Sequence, residues 1–421
     1  MRVQSLPMKL DPRSLSVRAQ DLLAGQSVPE YLRCDFEGSK NRYDKDTNPD
    51  GYIGLCVAEN KLVSNLVANR LNEIPMVPPS VLGYDSMTGS VRFREQLGRF
   101  MGRKFLGRDF PPHQISVLAG AGSVLEILFH VLADPGDGVL VPTPSYAGFW
   151  MDLEMRDELK IVPVHCASED GFRLTPERLD RAITEAGRPV KVLLFTTPNN
   201  PLGTVYTADE IEEILTWAED RGLHVVFDEI YALSVFGKMP FTSCASVLPT
   251  LGEHVHIVWA FSKDFGASGL RCGVLVSENR AVNAAVDAFA YWACCSGHTQ
   301  YLLGKMISDE AWVDGYITTM GDGLRNANRR LTELLDDGGV AYVPAEAGVF
   351  TVLDLRSCLT EQTWEAERAL WLRIFDEAKV NLTPGAACHN GEPGFMRLCY
   401  AGQATATMEI GVERLVKTLA R

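Results

Sequence analysis

The middle of the chain alternates between short apolar runs and segments whose apolar residues recur at helical spacing. The runs are continuous rather than alternating, which is typical of strands covered on both faces of a parallel sheet. They occupy residues 115–120, 138–144, 190–198, 223–229 and 255–263. One intervening helix is marked by a T-x-x-E capping box at Thr207 and Glu210, with Gly222 at its end. We therefore predict an α/β fold with a mostly parallel central sheet.

The two ends of the chain carry other patterns. Residues 1–50 are polar and rich in turn formers, with one predicted helix near 14–24. In the last third, "GLRNANRRLTELLDDGG" predicts a helix with a glycine stop, and "VFTVLDL" predicts a strand with one solvated face. We predict an N-terminal arm with part of a small domain at 1–75, a large domain at 76–319 and a small α+β domain at 320–421.

Composition narrows the class of protein. The 421 residues carry a formal net charge of −14, whereas a sequence-independent nucleic-acid binder needs a basic surface. No run of about 18 apolar residues predicts a membrane span, and the first residues lack the apolar core of a signal peptide. The ten cysteines are scattered without a CxxC pair, which predicts reduced thiols, no metal site and a cytoplasmic location.

Polar residues stand where the predicted strands end, and each has an ordinary structural explanation when taken alone. Asp228 fits a helix N-cap, with Tyr231 as a packed tyrosine three residues later. Asn200 fits an Asx turn, Lys263 fits a side chain that extends from a strand end to solvent, and Arg271 fits a surface charge. The carboxyl ends of parallel strands meet at one edge of a sheet, so these residues are expected to lie together.

As a set, these residues have the chemistry that pyridoxal 5′-phosphate (PLP) requires. A lysine forms a Schiff base with an aldehyde, and an aspartate keeps a pyridine nitrogen protonated. An asparagine and a tyrosine donate to a ring oxygen, while an arginine and the turn "AGAGSVLE" at 119–126 bind a phosphate. Leu125 occupies the third glycine position of a dinucleotide fingerprint, which disfavours a Rossmann dehydrogenase.

Seven stretches then carry a family resemblance. They are "VAENKL" (57–62), "YDSMTGSVRFREQLGRFM" (84–101), "PTPSYAGF" (142–149), "NNPLGT" (199–204), "DEIY" (228–231), "SKDFGASGLRCG" (262–273) and "PGAACHNGEPGFMRLCYA" (384–401). The chain resembles the fold-type I, PLP-dependent aminotransferases from about residue 50 to its C-terminus. Within them it is similar to the 1-aminocyclopropane-1-carboxylate (ACC) synthase-like branch. The last of the seven stretches is the one most specific to this branch.

The resemblance implies a role for each matching position. Lys263 would bind the cofactor and remove the substrate Cα proton, with Asp228 and Tyr231 assisting it. The implied cofactor contacts are Ala121, Gly122, Tyr146, Asn200, Asp228, Tyr231, Lys263, Arg271 and, reaching the neighbouring subunit of a homodimer, Tyr84. The implied substrate contacts are Arg397 at the α-carboxylate, Glu59 at a sulfonium, and Ala58, Tyr146 and Asn200.

Three positions depart from the family pattern. Ala260 stands where a phosphate-binding serine is usual, and Gly122 where threonine is common. Ser145 stands where a second aromatic often precedes Tyr146, the position that the resemblance implies is stacked on the cofactor ring. Phosphate binding thus has fewer side-chain donors, and the pocket is less aromatic. The departures leave PLP as the implied cofactor but weaken the implication that the product is ACC.

The implied substrate is S-adenosylmethionine, converted by Cα deprotonation and loss of methylthioadenosine. The product is either ACC or a vinylglycine-type intermediate that a second small molecule traps in specialised metabolism. An aminotransferase or C–S lyase acting on another amino acid stays open. A catalytically silent PLP-fold protein is disfavoured because the full set of cofactor residues is present.

Overall fold

A computed structural model describes residues 14–25 and 28–420 of the chain. Within them, the α-helices are α1 (Val17–Gly25), α2 (Glu30–Gly38), α3 (Ser64–Asn72), α4 (Val91–Met101), α5 (Ala121–Leu132), α6 (Phe149–Glu154), α7 (Pro176–Ala186), α8 (Ala208–Glu219), α9 (Cys244–Val247), α10 (Phe261–Asp264), α11 (Arg280–Phe289), α12 (Gly297–Ile307), α13 (Glu310–Asp337), α14 (Trp364–Arg373) and α15 (Thr405–Leu419). No helix in these ranges is long and apolar enough to cross a bilayer.

The strands in the same ranges are β1 (Ile53–Gly54), β2 (Ile115–Leu118), β3 (Gly138–Thr143), β4 (Lys160–His165), β5 (Val190–Thr196), β6 (His224–Asp228), β7 (Val255–Ala260), β8 (Gly273–Ser277), β9 (Ala341–Val343), β10 (Phe350–Asp354), β11 (Val380–Asn381), β12 (Thr383–Pro384) and β13 (Phe395–Cys399). They form a seven-stranded sheet in the order β2-β8-β7-β6-β5-β3-β4, a four-stranded sheet β12-β13-β10-β9 and the pair β1-β11.

The seven-stranded sheet confirms the predicted mostly parallel α/β architecture. Only β8 runs against its neighbours, β2 and β7. Apolar residues point to both faces: Leu193 and Phe195 pack into one core, and Val192 and Leu194 pack into a second core that includes residues of α5 and α11. Double coverage explains the continuous apolar runs, because neither face of a central strand meets water.

The helix after β5 begins as the sequence predicts. The Thr207 hydroxyl accepts from the Glu210 backbone N–H at 3.3 Å, and the Glu210 carboxylate accepts from the Thr207 backbone N–H at 2.8 Å. Two N–H groups at the start of α8 are therefore satisfied by side chains. The helix ends at Glu219, and Gly222 follows with a φ of 63°.

The expectation that "VFTVLDL" has a solvated face is wrong. Its strand, β10, lies inside the antiparallel sheet between β13 and β9, and residues 350–353 are buried. The Phe350 ring meets the Tyr231 ring edge-on at 5.3 Å, whereas Thr351 accepts from Asn328 of α13 at 3.0 Å. Helix α13 covers one face and the residues after β6 cover the other, so neither face is free.

The N-terminal segment packs with the C-terminal third. Strand β1 pairs in parallel with β11, Ile53 opposite Val380, and Asn381 donates to the Tyr31 carbonyl at 2.8 Å. Helix α1 overlaps in sequence with the helix predicted near residues 14–24. The domain boundaries at 75/76 and 319/320 stay predictions, and the second lies inside α13.

Candidate active site

The predicted site residues gather at the carboxyl edge of the large sheet. Asp228 is the last residue of β6, Asn200 follows β5, Tyr146 follows β3, and α5 begins at Ala121 just after β2. Strands β5, β6 and β7 are neighbours, so their ends lie side by side. We call the half-buried Lys263 and four buried residues, Asp228, Asn200, Tyr231 and Arg397, the lysine end of the site.

Lys263 lies three residues beyond β7, in the single helical turn α10, rather than at the strand end itself. Its Nζ donates to the Ala58 carbonyl at 2.7 Å. Burial lowers the pKa of this amine, and the positive charge of Arg397 lowers it further. Both effects favour the neutral amine, which is the form that attacks an aldehyde or accepts a proton.

Arg397 is buried in β13 and joins three parts of the chain. It donates from Nη1 to Asn200 Oδ1 at 2.9 Å, and from Nη2 to the Cys56 carbonyl at 2.7 Å and Thr383 Oγ1 at 3.0 Å. Its Nε has no hydrogen-bond partner among the described residues. A buried guanidinium with a free N–H and no carboxylate partner is suited to an incoming carboxylate.

Asp228 and Tyr231 are buried with unused polar groups. Asp228 accepts a backbone hydrogen bond from Ile230 at 3.2 Å, and burial raises the pKa of its carboxyl to about 7. The Tyr231 hydroxyl has no hydrogen-bond partner within the described chain. A protonated ring nitrogen opposite Asp228 and a ring oxygen beside Tyr231 would satisfy both groups.

The opposite part of the site, which we call the phosphate end, consists of Ala121, Gly122 and Arg271. The Arg271 guanidinium donates to the Ser268 carbonyl at 3.0 Å and the Ala119 carbonyl at 3.2 Å, and the residue is exposed. A Cβ on Gly120, whose φ is 97°, would lie 2.3 Å from this guanidinium. The glycine thus lets an arginine approach the N-terminus of α5, an arrangement that favours a phosphate.

The remaining predicted residues lie at the margin of the site. Tyr146 is 40% exposed and meets Phe149 edge-on at 5.3 Å, while Tyr84 is fully exposed. The Glu59 carboxylate lies 3.5 Å from Lys61 Nζ and lines a cavity of about 280 Å³ between α2, β1 and α15. Ala58 contributes its backbone carbonyl to Lys263.

Several residues near the site have no signal in the sequence. Thr383 holds Arg397 because β12 pairs with β13, and Cys56 does so through a backbone carbonyl. Tyr31 of α2 is buried, which raises the pKa of its phenol, and the nearby positive charge of Arg397 opposes that rise. Asp152 of α6 lies 3.6 Å from the Cβ position of Gly122, and burial followed by the charge of Glu126 raises its pKa to about 6.

The donor set fits PLP. Lys263 would meet the aldehyde of a bound cofactor, Asp228 its ring nitrogen, and Tyr231 and Asn200 its ring oxygen. The phosphate end, with Ala121, Gly122 and Arg271, would hold the phosphate. The two unpartnered groups at the lysine end, the Tyr231 hydroxyl and Arg397 Nε, are of the kind that cofactor and substrate satisfy. Fold and site therefore define a PLP-dependent enzyme.

Comparison with known proteins gives the family. A model described as aminotransferase class I and II matches residues 51–415. The chain is 34% identical over 413 residues to 1-aminocyclopropane-1-carboxylate synthase 11 of Arabidopsis thaliana, covering 93% of this chain and 89% of that one. It is 34% identical over 428 residues to the Malus domestica synthase, covering 96% and 90%. The chain belongs to the aminotransferase class I and II family, in its ACC synthase-like branch.

Solved structures agree on the fold. An aspartate aminotransferase of Thermotoga maritima superposes with a TM-score of 0.80 at 22% identity, covering 97% of this chain and all of that one. A double mutant of the Thermus thermophilus enzyme gives 0.79 at 22% identity, covering 96% and 99%. These structures confirm the predicted fold, and the family match with the ACC synthase relatives confirms the predicted cofactor and enzyme class.

Proposed function

We propose that this enzyme acts on S-adenosylmethionine by removing its Cα proton and releasing methylthioadenosine. The observation that carries the proposal is the lysine end, where the amine of Lys263 lies close enough for the charge of Arg397 to lower its pKa, and where Arg397 Nε has no partner among the described residues. The relatives named as ACC synthases support this substrate over other amino acids.

When bound, PLP supplies an aldehyde for the substrate amine and a ring that accepts electrons from Cα. The chain supplies the rest. Arg397 holds the substrate carboxylate through its guanidinium, whose Nε–H has no partner among the described residues, and Lys263 Nζ takes the Cα proton. Asp228 keeps a proton on the ring nitrogen, and Tyr231 and Asn200 donate to the ring oxygen.

The fate of the substrate after deprotonation depends on the rest of the pocket. Attack of Cα on Cγ with loss of methylthioadenosine closes a cyclopropane ring and gives ACC. Elimination at Cγ without closure gives a vinylglycine-type product that a second small molecule would capture. The departures at Ser145 and Gly122 are the reason to keep the second route.

Transamination or C–S lysis of another amino acid is the second candidate, and the family description as aminotransferases favours transamination. A silent binding protein is disfavoured because Lys263, Asp228, Tyr231 and Arg397 are all present, and the charges of Asp228 and Arg397 act on both Lys263 and Tyr231. The predicted cytoplasmic location remains a prediction.

We also propose a homodimer in which Tyr84 reaches the neighbouring site. Tyr84 is fully exposed, and the same protomer has other large apolar side chains that are exposed: Met76, Leu82, Tyr291 and Trp292. Such side chains are costly to leave in water and are suited to an interface. Tyr84→Ala should retain less activity than Tyr291→Phe, and light scattering of the wild type should give the mass of two chains; a monomer would contradict the proposal.

The test of the function is to incubate the PLP-loaded enzyme with S-adenosylmethionine and to quantify methylthioadenosine and ACC separately. Both products together support ring closure. Methylthioadenosine without ACC supports elimination with capture or release. If methylthioadenosine does not form while an amino acid and a keto acid exchange amino groups, the enzyme is an aminotransferase and the proposal is wrong.

A further inference from the structure

We propose that Asp264 is a positioning residue that fixes the Lys263 turn against the segment that carries Tyr231. The proposal deepens the proposed function, since it rests on Lys263 being the reactive amine. It concerns how two groups of the lysine end keep one geometry, and not a further contact with substrate.

The turn that carries Lys263 needs outside support. Helix α10 is only four residues long, Phe261–Asp264, and its N-cap, Ala260, makes no side-chain hydrogen bond. An isolated helical turn is unstable, because fixing its backbone angles costs more than its few hydrogen bonds return. Tertiary contacts therefore have to hold Lys263 in place.

The Asp264 carboxylate supplies three of these contacts. Oδ2 accepts from Trp259 Nε1 at 2.8 Å and from the Leu233 backbone N–H at 3.0 Å, and Oδ1 accepts from the Ser234 hydroxyl at 2.7 Å. Trp259 belongs to β7, just before the turn, whereas Leu233 and Ser234 follow Tyr231 by two and three residues. One carboxylate thus joins the strand, the turn and the tyrosine segment.

The backbone and ring beside Asp264 are held from another direction. The Tyr316 hydroxyl of α13 donates to the Asp264 carbonyl at 2.7 Å. The Phe265 ring stacks on the Tyr316 ring with centroids 4.8 Å apart and planes at 5°. The turn is therefore clamped on both sides of Asp264, and a loss of the carboxylate contacts should shift the amine and the phenol relative to each other.

Asp264 has no salt-bridge partner among the described residues and is fully buried. Burial raises the pKa of its carboxyl to about 7, which the three donors partly offset. An amide at this position would replace the carboxylate with a neutral acceptor on one side only. Its NH₂ group would face either the N–H groups of Trp259 and Leu233, which cannot accept, or the Ser234 hydroxyl, whose hydrogen bond would then have to reverse. Either arrangement loses the hydrogen bonds to a charged acceptor, which are the stronger ones.

The variant to test is Asp264→Asn, and Glu278→Gln is its matched control. Glu278 also accepts from two backbone N–H groups, those of Leu251 and Gly252 at 2.9 and 3.2 Å, and from Arg108 at 3.4 Å. It follows Ser277, which pairs with His256 near the start of β7, at the end of that strand away from Lys263. We expect Asp264→Asn to speed amide hydrogen exchange about tenfold or more at residues 231–234 and 259–266 of the cofactor-free protein. The control should leave those segments unchanged.

In the loaded enzyme, Asp264→Asn should shift the pH titration of the visible absorbance. It should also lower kcat about tenfold or more with little change in KM, because misplaced groups cost rate more than binding. Unchanged exchange at both segments with an unchanged titration would overturn the proposal, whatever the effect on Tm.

If Asp264→Asn does not fold, Ser234→Ala and Trp259→Phe each remove one donor and keep the carboxylate. Each should give a smaller change in the same exchange segments and the same titration, and no change from either variant overturns the proposal. Hydrogen exchange needs no substrate. A wild type that forms no methylthioadenosine would therefore contradict the proposed function while leaving the exchange result to decide the role of Asp264.

Discussion

At the lysine end of the site, Arg397 and Asp228 are buried and Arg397 alone makes three hydrogen bonds to distant parts of the chain. At the phosphate end, Arg271 is exposed, and its two hydrogen bonds go to nearby backbone carbonyls. Ala260, which the family resemblance would place at the same end, offers no hydroxyl. The comparison indicates that the buried, preorganised groups of the lysine end set the reactivity of the site. Retention of the cofactor depends on the phosphate end, which has few donors and is more exposed to solvent.

Of the variants at the lysine end, Lys263→Ala should have the largest effect on activity. We expect a loss of the visible absorbance of the PLP-loaded protein and a fall in methylthioadenosine formation of about 10³-fold or more, since proton transfer by a positioned base contributes roughly 10²–10⁴-fold. Lys305→Ala, which changes an exposed lysine of α12, is the control and should behave as wild type. A yellow, active Lys263→Ala protein would rule out the assigned role.

Arg397→Lys should have the next largest effect. The charge is kept but the paired N–H geometry is lost, so we expect KM for any α-amino acid substrate to rise about 10- to 100-fold, with a smaller change in kcat. Steady-state kinetics over a range of substrate concentrations measures this. Arg329→Lys on the exposed face of α13 should leave KM unchanged, and an unchanged KM for Arg397→Lys would contradict the clamp.

The phosphate end should respond in two directions. Arg271→Ala should weaken PLP binding about tenfold or more, and Ala260→Ser should strengthen it several-fold by adding a donor to a charged acceptor. Equilibrium dialysis of the cofactor measures both changes. Ala260→Cys, similar in size but a weak donor, is the matched control for the serine variant. Equal PLP affinities for the wild type, Ala260→Ser and Ala260→Cys would show that residue 260 does not face the phosphate.

The smallest expected effect is on the pH dependence of stability without cofactor. Burial raises the pKa of Asp228 from 3.8 to about 7, so the folded state holds a proton that the unfolded state has lost between these values. Stability from this group is present below pH 3.8 and is lost as pH rises towards 7. Asp228→Asn should reduce this decline by about 1 kcal/mol or more, read from urea midpoints at pH 5 and 8. The same decline in wild type and variant would contradict the shift.

Much of this site could be predicted because its residues follow the strands of one parallel sheet. Asp228, Asn200 and Lys263 stand beside apolar runs whose ends have to meet at one edge. Thr383 and Tyr31 had no such signal, since their places depend on how β12 and α2 pack against the rest of the chain. The solvated face expected for β10 was wrong for the same reason: alternation of residue types along a strand does not reveal which elements cover it.

The pairing of β1 with β11, Ile53 opposite Val380, has a consequence for how the protein is made. The carbonyl of Cys56 finds its guanidinium partner only when Arg397, 341 residues further along the chain, has left the ribosome. Until then the segment around Cys56 lacks this partner, and closing so long a loop is slow. We therefore expect nascent chains that stop before residue 395 to hold the large sheet but not a competent site.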